Sequence, residues 1–489
     1  MRKSLKMFFG VFALLLVTIC VMLFRTLSVS KPTETRSVAD QVLIVVDKNL
    51  VAQNLAKAVQ FKTVTAQNRE DTDWQVFLDF QAWLLETYPD FYKAVQSQQI
   101  ETYAQFHVWQ GSDPSLAPIV FLAHQDVVPA LEADTGWDFP PFGGVIADGF
   151  INGRGTIDDK GSLIGLLEAA DRLVASGFKP KRTLMFGFGH DEEVSGSGAK
   201  AIAELLKSQG ISPYAVIDEG GVITTGMPDV KGPVARIGVA EKGYLTLVLT
   251  ARAQGGHSSV PPNYTAIGAL AKAIAAIEAN PFESGLDKVS IAMLKATASE
   301  QEFMGRLAIA NLWLFKPLVE KKMREIPTGR AMLGTTIAPT IIKAGFKENA
   351  LPRDAVAHVN FRLHSRDTVA SVTEHVRRVI NDKDIEISLS GNIGAEASPI
   401  SQIGSGPYLW LEDVVNQAYP GTIIAPNTVL GGTDSRYFAL VTNDIYRFAP
   451  YVLDASDFSR FHGLNERMSI ENFAKTVQVY HLMLKTAGE

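Results

Sequence analysis

Histidine and acidic residues directly follow three short apolar runs of the sequence. The clusters and the runs before them are His124-Gln125-Asp126 after residues 119–123, Asp191-Glu192-Glu193 after residues 184–188, and Asp218-Glu219 after residues 215–217. If the runs are strands of one parallel sheet, their carboxyl ends meet at one edge, where sites form in open α/β sheets. Carboxylates concentrated there repel each other, and a bound cation is the simplest relief. The sequence therefore predicts a metal site at this edge.

A fourth cluster, GRGTIDDKG at residues 153–161, contributes Asp158 and Asp159 just before a helical pattern. The chain has one cysteine, Cys20, so a thiolate site is excluded. A set of histidines and carboxylates favours zinc first, and then manganese or cobalt.

The spacing within two clusters suggests separate roles. In His124-x-Asp126 the carboxylate can hold the second ring N–H of a metal-binding imidazole and fix its tautomer. The neighbours Glu192 and Glu193 can divide the work, one binding metal and the other taking a proton from a water activated by the metal.

Six segments in order resemble the co-catalytic zinc peptidases that include aminoacylase, carboxypeptidase S and glutamate carboxypeptidase. They are FLAHQDVVP, GRGTIDDKGS, GHDEEVSGSG, VIDEGG, GGHSSVPP and FHGLNER, and they span about residues 115–470. HQDVVP, DEGG and the N-terminal apolar segment look most similar to carboxypeptidase S and to N-fatty-acyl-amino-acid synthase/hydrolases.

The resemblance implies a role for each matching residue. His124 and Asp218 bind one metal ion, Glu193 and His462 bind the other, and Asp158 bridges both. Asp126 supports His124, and Glu192 is the general base. The implied cofactors are two Zn²⁺, with Co²⁺ or Mn²⁺ as substitutes. The peptide bond Asp158–Asp159 is expected to be cis.

The same resemblance implies how the substrate is held. His257 stabilises the oxyanion, often from the partner subunit of a dimer. Asn349 and Arg362 match positions that hold the substrate carboxylate, and an arginine fork suits a carboxylate. The loop GGTDS at residues 431–435, with Gly432 and Thr433, resembles the substrate loop. We interpret Glu466 as a surface residue and His107, His364, His375 and His481 as solvated.

The elements that must position these residues follow an α/β pattern. The apolar runs suit strands buried on both faces of a mainly parallel sheet, and helical patterns lie between them. Near residue 243 the pattern changes. The segments at 244–252 and 356–363 alternate like half-exposed strands, each followed by a helical pattern at 265–279 and 369–380.

This pattern predicts an inserted α+β lid or dimerisation domain at residues 243–392. The catalytic domain would comprise residues 41–242 and 393–489, with a central mixed, mainly parallel sheet flanked by helices. Within the insert, LWLF at residues 312–315 is apolar, which fits lid packing or, alternatively, an acyl-chain groove or a membrane-facing patch.

Residues 7–24 carry no charge and reach about 27 Å as a helix, close to the thickness of the hydrocarbon core of a bilayer. We interpret residues 1–30 as an uncleaved membrane anchor or, alternatively, a cleaved signal segment. Arg2 and Lys3 favour a cytoplasmic N-terminus, which would put the body outside the cytoplasm. Residues 31–40 would be a tether.

Composition narrows the class of protein. Of 489 residues, 46% are hydrophobic and 20% charged, which is ordinary for a globular chain. A net charge of −6 argues against a dedicated nucleic-acid binder.

Together these features predict a membrane-anchored di-zinc hydrolase that cleaves the amide bond to an amino acid with a free carboxylate, with the reverse condensation chemically accessible. An apolar acyl group on the substrate is our hypothesis. A carboxypeptidase acting on peptides is the alternative enzyme, and a catalytically silent binding protein is the alternative of another class. We expect that the protein can form a homodimer.

Overall fold

The computed structural model describes residues 2–29, 43–130, 136–227 and 229–489. The predicted tether at residues 31–40 lies outside the described residues. The chain begins with helix α1 (Arg2–Leu27). Within it, Lys6–Leu27 is the one described segment that is long and apolar enough to cross a membrane, a property that signal sequences near the N-terminus share.

The largest sheet has ten strands and is mixed. It is built from β1 (Gln96–Ile100), β2 (Ala104–Trp109), β3 (Ile119–His124), β6 (Leu184–Gly189), β7 (Ala215–Asp218), β8 (Ile223–Thr225), β9 (Val234–Glu241), β16 (Ile423–Val429), β17 (Ile445–Arg447) and β18 (Val452–Asp454). The strand order is β1-β2-β6-β3-β7-β17-β9-β8-β18, and β16 pairs with β9. The central strands β6, β3, β7 and β17 run parallel, whereas β1 and β2 are antiparallel additions at one edge.

Helices cover this sheet and complete its core. They are α2 (Lys48–Val59), α3 (Trp74–Thr87), α4 (Pro89–Ala94), α5 (Lys160–Ala175), α6 (Ser197–Ser208), α13 (Gly406–Ala418) and α14 (Ile470–Gly488). A separate three-stranded sheet joins β4 (Val145–Ala147), β5 (Phe150–Asn152) and β19 (Arg467–Ser469). The predicted α/β class and the mixed central sheet flanked by helices are confirmed.

The chain leaves the large sheet at Glu241 and enters a second sheet two residues later. That antiparallel sheet has the order β12-β14-β10-β15, with β10 (Gly243–Arg252), β12 (Thr336–Ala344), β14 (Asp354–Leu363) and β15 (Ile385–Ala395). A two-stranded ribbon joins β11 (Gly256–His257) and β13 (Ala350–Leu351). The associated helices are α7 (Ala266–Ala279), α8 (Lys288–Thr297), α9 (Phe303–Ala310), α10 (Leu312–Arg324), α11 (Pro327–Leu333) and α12 (Val369–Ile380).

Strand β14 shows why this second sheet has a core of its own. Its burial alternates along the strand, so that Ala357, Val359 and Phe361 are buried and Val356, His358 and Asn360 are partly exposed. The buried face packs with α7 and α12 in a core separate from that of the large sheet. β15 continues to Ala395, past the predicted boundary at residue 392. The domain boundaries stay a prediction.

Helix termini follow their capping residues. Thr265 Oγ1 accepts the backbone N–H of Gly268 at 3.2 Å where α7 begins. Ser469 Oγ accepts the backbone N–H of Asn472 at 3.2 Å where α14 begins, as a serine N-cap does.

The interpretation of three histidines as solvated is wrong. His107, His364 and His481 are 1%, 3% and 8% exposed. His107 is buried because β2 is covered on both faces, and its ring packs against Phe91 and Tyr92 of α4.

Candidate metal centre

The carboxyl ends of three adjacent parallel strands bring the first acidic residues together. His124 is the last residue of β3, Asp218 is the last residue of β7, and Glu192 and Glu193 lie in the loop after β6. Since β3 lies between β6 and β7, all three loops leave the sheet at the same edge, as the apolar runs predicted.

Asp158 lies between two histidines that come from distant parts of the chain. Its Oδ1 is 3.0 Å from His124 Nε2, and its Oδ2 is 3.1 Å from His462 Nε2. The peptide bond Asp158–Asp159 is cis, as expected. One carboxylate therefore faces an imidazole on each of its oxygens, which is the arrangement that a bridging ligand requires.

Two groups of side chains are compact enough to hold an ion each. One consists of His124, Asp158 and Glu219, and the other of Asp158, Glu193 and His462; within each group the ligand atoms lie within 4.8 Å of one another. Glu219 Oε1 is 3.7 Å from His124 Nε2, and Glu193 Oε2 is 3.2 Å from His462 Nε2.

Asp218, which the family resemblance implies as a ligand, lies outside both groups, whereas Glu219 belongs to the first of them. Asp218 Oδ2 accepts the backbone N–H of Ser435 at 2.7 Å, and its Oδ1 accepts the backbone N–H of Glu219 at 3.0 Å. These bonds engage both carboxylate oxygens of Asp218 in holding loops. The neighbouring Glu219 points its oxygen Oε1 toward His124 instead.

The donor set fits divalent cations. Oxygen Oε1 of Glu193 is buried and has no hydrogen-bond partner among the described residues, which leaves an acceptor available at the second group. Burial and the nearby charge of Asp158 raise the pKa of Glu219 to about 8 and also raise that of Glu193. Hydrogen bonds to Asp158 and Glu193 raise the pKa of His462 to about 10. Carboxylates that repel each other in a buried site are stabilised by bound cations.

Asp126 is fully buried behind His124 and organises the loop after β6. Its Oδ1 lies 3.4 Å from His124 Nδ1 and accepts the backbone N–H of Glu192 at 3.1 Å. Its Oδ2 accepts the backbone N–H of Glu193 at 3.1 Å and the hydroxyl of Thr65 at 2.7 Å. One carboxylate thus orients an imidazole of the first group and the backbone that carries both glutamates.

Glu192 lies beside the two groups of possible metal ligands and near two arginines. Burial raises its pKa well above the usual range, and the charges of Asp434 and Glu193 act in the same direction. Burial lowers the pKa of Arg362, and the negative charge of Glu192 acts against that shift. The same charge helps to raise the pKa of Arg436. Arg362 stacks on Tyr244, with its guanidinium carbon 4.8 Å from the ring centroid. The second sheet therefore delivers a cation to the same site.

Arg436 is a further candidate for substrate binding. It follows the GGTDS loop and donates to the backbone carbonyl of Ser195 at 3.3 Å. A Cβ added to Gly432 would lie 2.7 Å from Arg436 Nη1, so the glycine makes room for the guanidinium. Arg436 directly follows the loop that resembles the substrate loop, which is the one sign in the sequence of a binding role. Its spacing from other residues does not distinguish it from a surface arginine.

Thr433, expected to bind substrate, is buried in a polar network below the loop. Its backbone N–H donates to Glu241 at 2.6 Å, and its hydroxyl lies 2.7 Å from that of Ser435. Glu241 also pairs with the fully buried Arg447. These hydrogen bonds fix the conformation of the loop at Thr433.

His257 and Asn349 are exposed and lie side by side at the β11–β13 ribbon. Nδ1 of His257 lies 2.7 Å from the hydroxyl of Ser259. Among the described residues, neither side chain contacts the metal-binding groups of its own chain. The structure thus brings Arg362 to the site but leaves His257 and Asn349 apart from it.

The interpretation of Glu466 as a surface residue is wrong. It is fully buried and pairs with Arg154, whose Nη1 lies 2.5 Å from Glu466 Oε2. Its Oε1 accepts the backbone N–H groups of Gly155, Ile157 and Asp158 at 3.0, 2.8 and 3.2 Å. Glu466 therefore joins the loop that carries His462 to the loop that carries Asp158.

Comparisons with known proteins place the chain among proteins of related sequence and fold. "Probable carboxypeptidase S-like 2" of Dictyostelium discoideum is 38% identical, covering 89% of this chain and 84% of that protein. "N-fatty-acyl-amino acid synthase/hydrolase PM20D1" of Homo sapiens is 38% identical over 88% of this chain and 87% of its own length. The structure of the "M20 family metallo-carboxypeptidase Sso-CP2" from Sulfolobus solfataricus superposes with a TM-score of 0.66 at 17% identity, covering 91% of this chain and 100% of that chain.

The model of peptidase family M20/M25/M40 matches residues 120–486, which include both metal-binding groups and the second sheet. A match over most of the chain, together with relatives above 30% identity along nearly their full length, shows the family. The chain therefore belongs to peptidase family M20/M25/M40.

Proposed function

We propose that the protein is a two-metal hydrolase of the amide bond between an acyl group and an amino acid with a free carboxylate. The observation that carries this proposal is the position of Asp158, with His124 Nε2 at 3.0 Å from one oxygen and His462 Nε2 at 3.1 Å from the other. Glu219 and Glu193 complete two three-residue groups around this bridge.

In this proposal the ligand sets are His124, Asp158 and Glu219 for one ion and Asp158, Glu193 and His462 for the other, with Glu219 replacing Asp218. Histidine with carboxylate oxygens suits Zn²⁺, and Co²⁺ or Mn²⁺ as substitutes. When bound, such a pair of ions lowers the pKa of water and polarises the amide carbonyl.

Glu192 is the general base in our proposal. Burial raises its pKa, which brings a carboxylate closer to the value that proton transfer at neutral pH needs. It takes a proton from the attacking water and passes it to the amine that leaves. Asp126 holds the backbone N–H of Glu192, so the base keeps its position during both transfers.

Arg362 and Arg436 bind the substrate carboxylate in this proposal. Arg362 lies on β14 of the second sheet, and Arg436 lies between β16 and β17 of the large sheet. The negative charge of Glu192 favours the charged form of both. A planar guanidinium binds a carboxylate through two parallel hydrogen bonds, so the pair selects substrates with a free carboxyl group. Gly432 leaves the space that Arg436 occupies.

His257 and Asn349 act in a partner subunit of a homodimer. Both are exposed at the β11–β13 ribbon, away from the metal groups of their own chain. The edge strand β12 of the second sheet is exposed from Ala338 to Ala344, which leaves its backbone free to pair with a second copy. In the dimer His257 would stabilise the oxyanion of the partner's substrate.

The acyl group attached to the amino acid distinguishes the two candidate activities. The names of relatives at 38% identity include both a synthase/hydrolase of N-fatty-acyl amino acids and a carboxypeptidase S-like protein. We favour N-acyl amino acids because of the apolar surface of the inserted segment, and keep a peptide carboxypeptidase as the second candidate.

The N-terminal helix is an uncleaved anchor in our proposal, with the body outside the cytoplasm. None of the side chains in its most apolar window is buried in the protein, so the segment has an apolar surface to cover. Secretion after cleavage is the alternative.

A substrate panel tests the proposed activity. Purified protein loaded with zinc, cobalt or manganese is assayed on N-oleoyl, N-acetyl and dipeptide substrates of one amino acid. We expect hydrolysis of the N-acyl amino acids that a chelator abolishes. Fewer than one bound ion per chain, with no chelator-sensitive hydrolysis, would support the silent binding protein instead.

A further inference from the structure

One face of α1 is seated on the inserted segment of the protein. In α1 the side chains of Thr18, Met22 and Thr26 are less exposed than their neighbours, and their spacing of four residues places them on one stripe. Thr26 is only 1% exposed. Helix α1 contacts α9 of the folded body.

Hydrogen bonds at the α9–α10 junction hold this end. The fully buried Asn311 donates from Nδ2 to the carbonyl of Met22 at 3.2 Å and to the hydroxyl of Thr26 at 3.3 Å. Arg25 Nε donates to the carbonyl of Ala310 at 3.1 Å. Three polar contacts thus join the last turns of α1 to residues 310 and 311.

Helix α10 starts at this junction and has no buried residue. Its first turns expose Trp313 by 57%, Leu314 by 46% and Leu318 by 50%. Pro317 is exposed on the same stripe, and the indole N–H of Trp313 donates to Asn311 Oδ1 at 3.3 Å. The residue that holds α1 therefore also positions the first aromatic of the exposed stripe.

The chemistry of this stripe matches the surface of a bilayer. Tryptophan favours the headgroup level, and leucines beside it bury apolar area among the upper acyl chains. Exposed lysines flank the stripe on the same helix, where Lys316 lies 3.8 Å from Glu320 and Lys322 lies 2.9 Å from Glu325. Phe303 and Met304 at the start of α9 are further exposed apolar side chains, with exposed fractions of 43% and 70%.

We infer that the stripe Trp313, Leu314, Pro317 and Leu318 on α10 rests on the lipid bilayer beside the point where α1 leaves it. This inference rests on the proposed membrane insertion of α1. Two attachments, α1 and the stripe, hold the inserted segment against the membrane. An amphiphilic substrate that partitions into lipid then reaches the site without crossing bulk water.

Fluorescence quenching tests the contact. The full chain is reconstituted in phosphatidylcholine vesicles that contain a lipid brominated near the headgroup end of its acyl chain. We expect a quenched component in the wild type that is lost in Trp313→Phe, because the five other tryptophans lie elsewhere in the chain. Equal quenched fractions in both proteins, while both float with the vesicles, would overturn the inference.

The flotation control separates this inference from the proposed activity. A chain that does not float with vesicles removes the premise about α1 and overturns the inference. Its chelator-sensitive hydrolysis of N-acetyl amino acids, measured in the same preparation, tests the proposed enzyme independently.

Kinetics provide the second readout. In Leu314→Ser/Leu318→Ser we expect the rate on an N-oleoyl amino acid in vesicles to fall at least about threefold, with the rate on the soluble N-acetyl amino acid unchanged. Leu85→Ser/Leu409→Ser is the matched control, since these leucines are 54% and 49% exposed elsewhere. Unchanged rates on the vesicle substrate would count against lipid contact.

Two further outcomes would assign the stripe to another occupant and overturn the inference. An equal loss on the monomeric N-oleoyl substrate without vesicles would identify an acyl-chain groove. A dimer in detergent that dissociates in Leu314→Ser/Leu318→Ser would identify a contact with a second copy.

Discussion

Glu466 accepts the backbone N–H of Asp158 at 3.2 Å, so a buried carboxylate from the His462 loop holds the residue that bridges the two metal-binding groups. The same carboxylate pairs with Arg154, which is 2% exposed. The two loops come from positions about 300 residues apart in the sequence, and Glu466 fixes their relative placement.

We expect Glu466→Gln to destabilise the fold and weaken metal binding together. The substitution leaves the buried Arg154 without its counter-charge, and breaking a buried pair costs about 3–5 kcal/mol. Denaturant unfolding measures the stability, and competition with a chromophoric chelator measures the affinity, which should fall by about 10–100-fold. Glu471→Gln, in an exposed ion pair with Lys48, is the control. Stability equal to that of the control would contradict this role.

The choice between Asp218 and Glu219 is open to a direct test. We expect Glu219→Gln to lower the affinity for one of the two ions by more than about tenfold, because its oxygen lies in the group with His124. Asp218→Asn keeps an oxygen that accepts the Ser435 N–H and should retain both ions. Metal content after dialysis distinguishes the two variants. The reverse result would identify Asp218 as the ligand.

Glu192→Gln should remove turnover and keep the metal. The amide cannot take up a proton, so kcat is expected to fall by about 10²–10⁴. Metal content should stay at the wild-type level, since Glu192 lies outside both metal-binding groups. Glu204→Gln on the exposed face of α6 controls for the charge change. A variant that stays active would show that another residue is the base.

Arg362→Lys should raise KM for substrates with a free carboxylate. Lysine cannot make the two parallel hydrogen bonds of a guanidinium, and the loss of a charged hydrogen bond costs about 1.5–3 kcal/mol, or about 10–100-fold in kcat/KM. On an amidated substrate, which lacks the carboxylate, kcat/KM of the variant and of the wild type should differ much less. Arg252→Lys, exposed on the same sheet, is the control. An equal loss on both substrates would argue against carboxylate binding.

His107 should make the fold sensitive to acid. Burial lowers its pKa to about 3, against an ordinary value of 6.5, so the unfolded chain binds a proton that the folded chain does not. Stability is full above pH 6.5 and is lost as the pH falls toward 3, with a slope of up to about 1.4 kcal/mol per pH unit.

His107→Gln should flatten this slope. Denaturant unfolding at several pH values between about 4 and 7 measures the slope, with about one measurement per half pH unit. His358→Gln, partly exposed on β14, is the control for losing a histidine. Because metal release at low pH affects both variants alike, the difference in slope reports on His107. Parallel slopes would contradict the assignment.

Several features of this protein follow from local sequence. The apolar runs before His124 and Asp218 are strands because they are short, continuous and followed by polar residues, and those properties do not depend on distant parts of the chain. Thr265 and Ser469 cap the predicted helices for the same reason. The family motifs add the two histidines and Asp158, which the structure brings together.

The orientation of neighbouring carboxylates was decided by tertiary contacts. Asp218 and Glu219 are adjacent at a strand end. The backbone N–H of Ser435, more than 200 residues away, engages Asp218, whereas Glu219 lies in the group with His124 and Asp158. The burial of Glu466 likewise depends on Arg154 and on three backbone N–H groups of a distant loop. The sequence by itself determined which residue types meet at the sheet edge, because strand and helix patterns are local. Only the tertiary structure decided which of them point inward, because that choice depends on hydrogen-bond partners and packing that the folded chain supplies from far away.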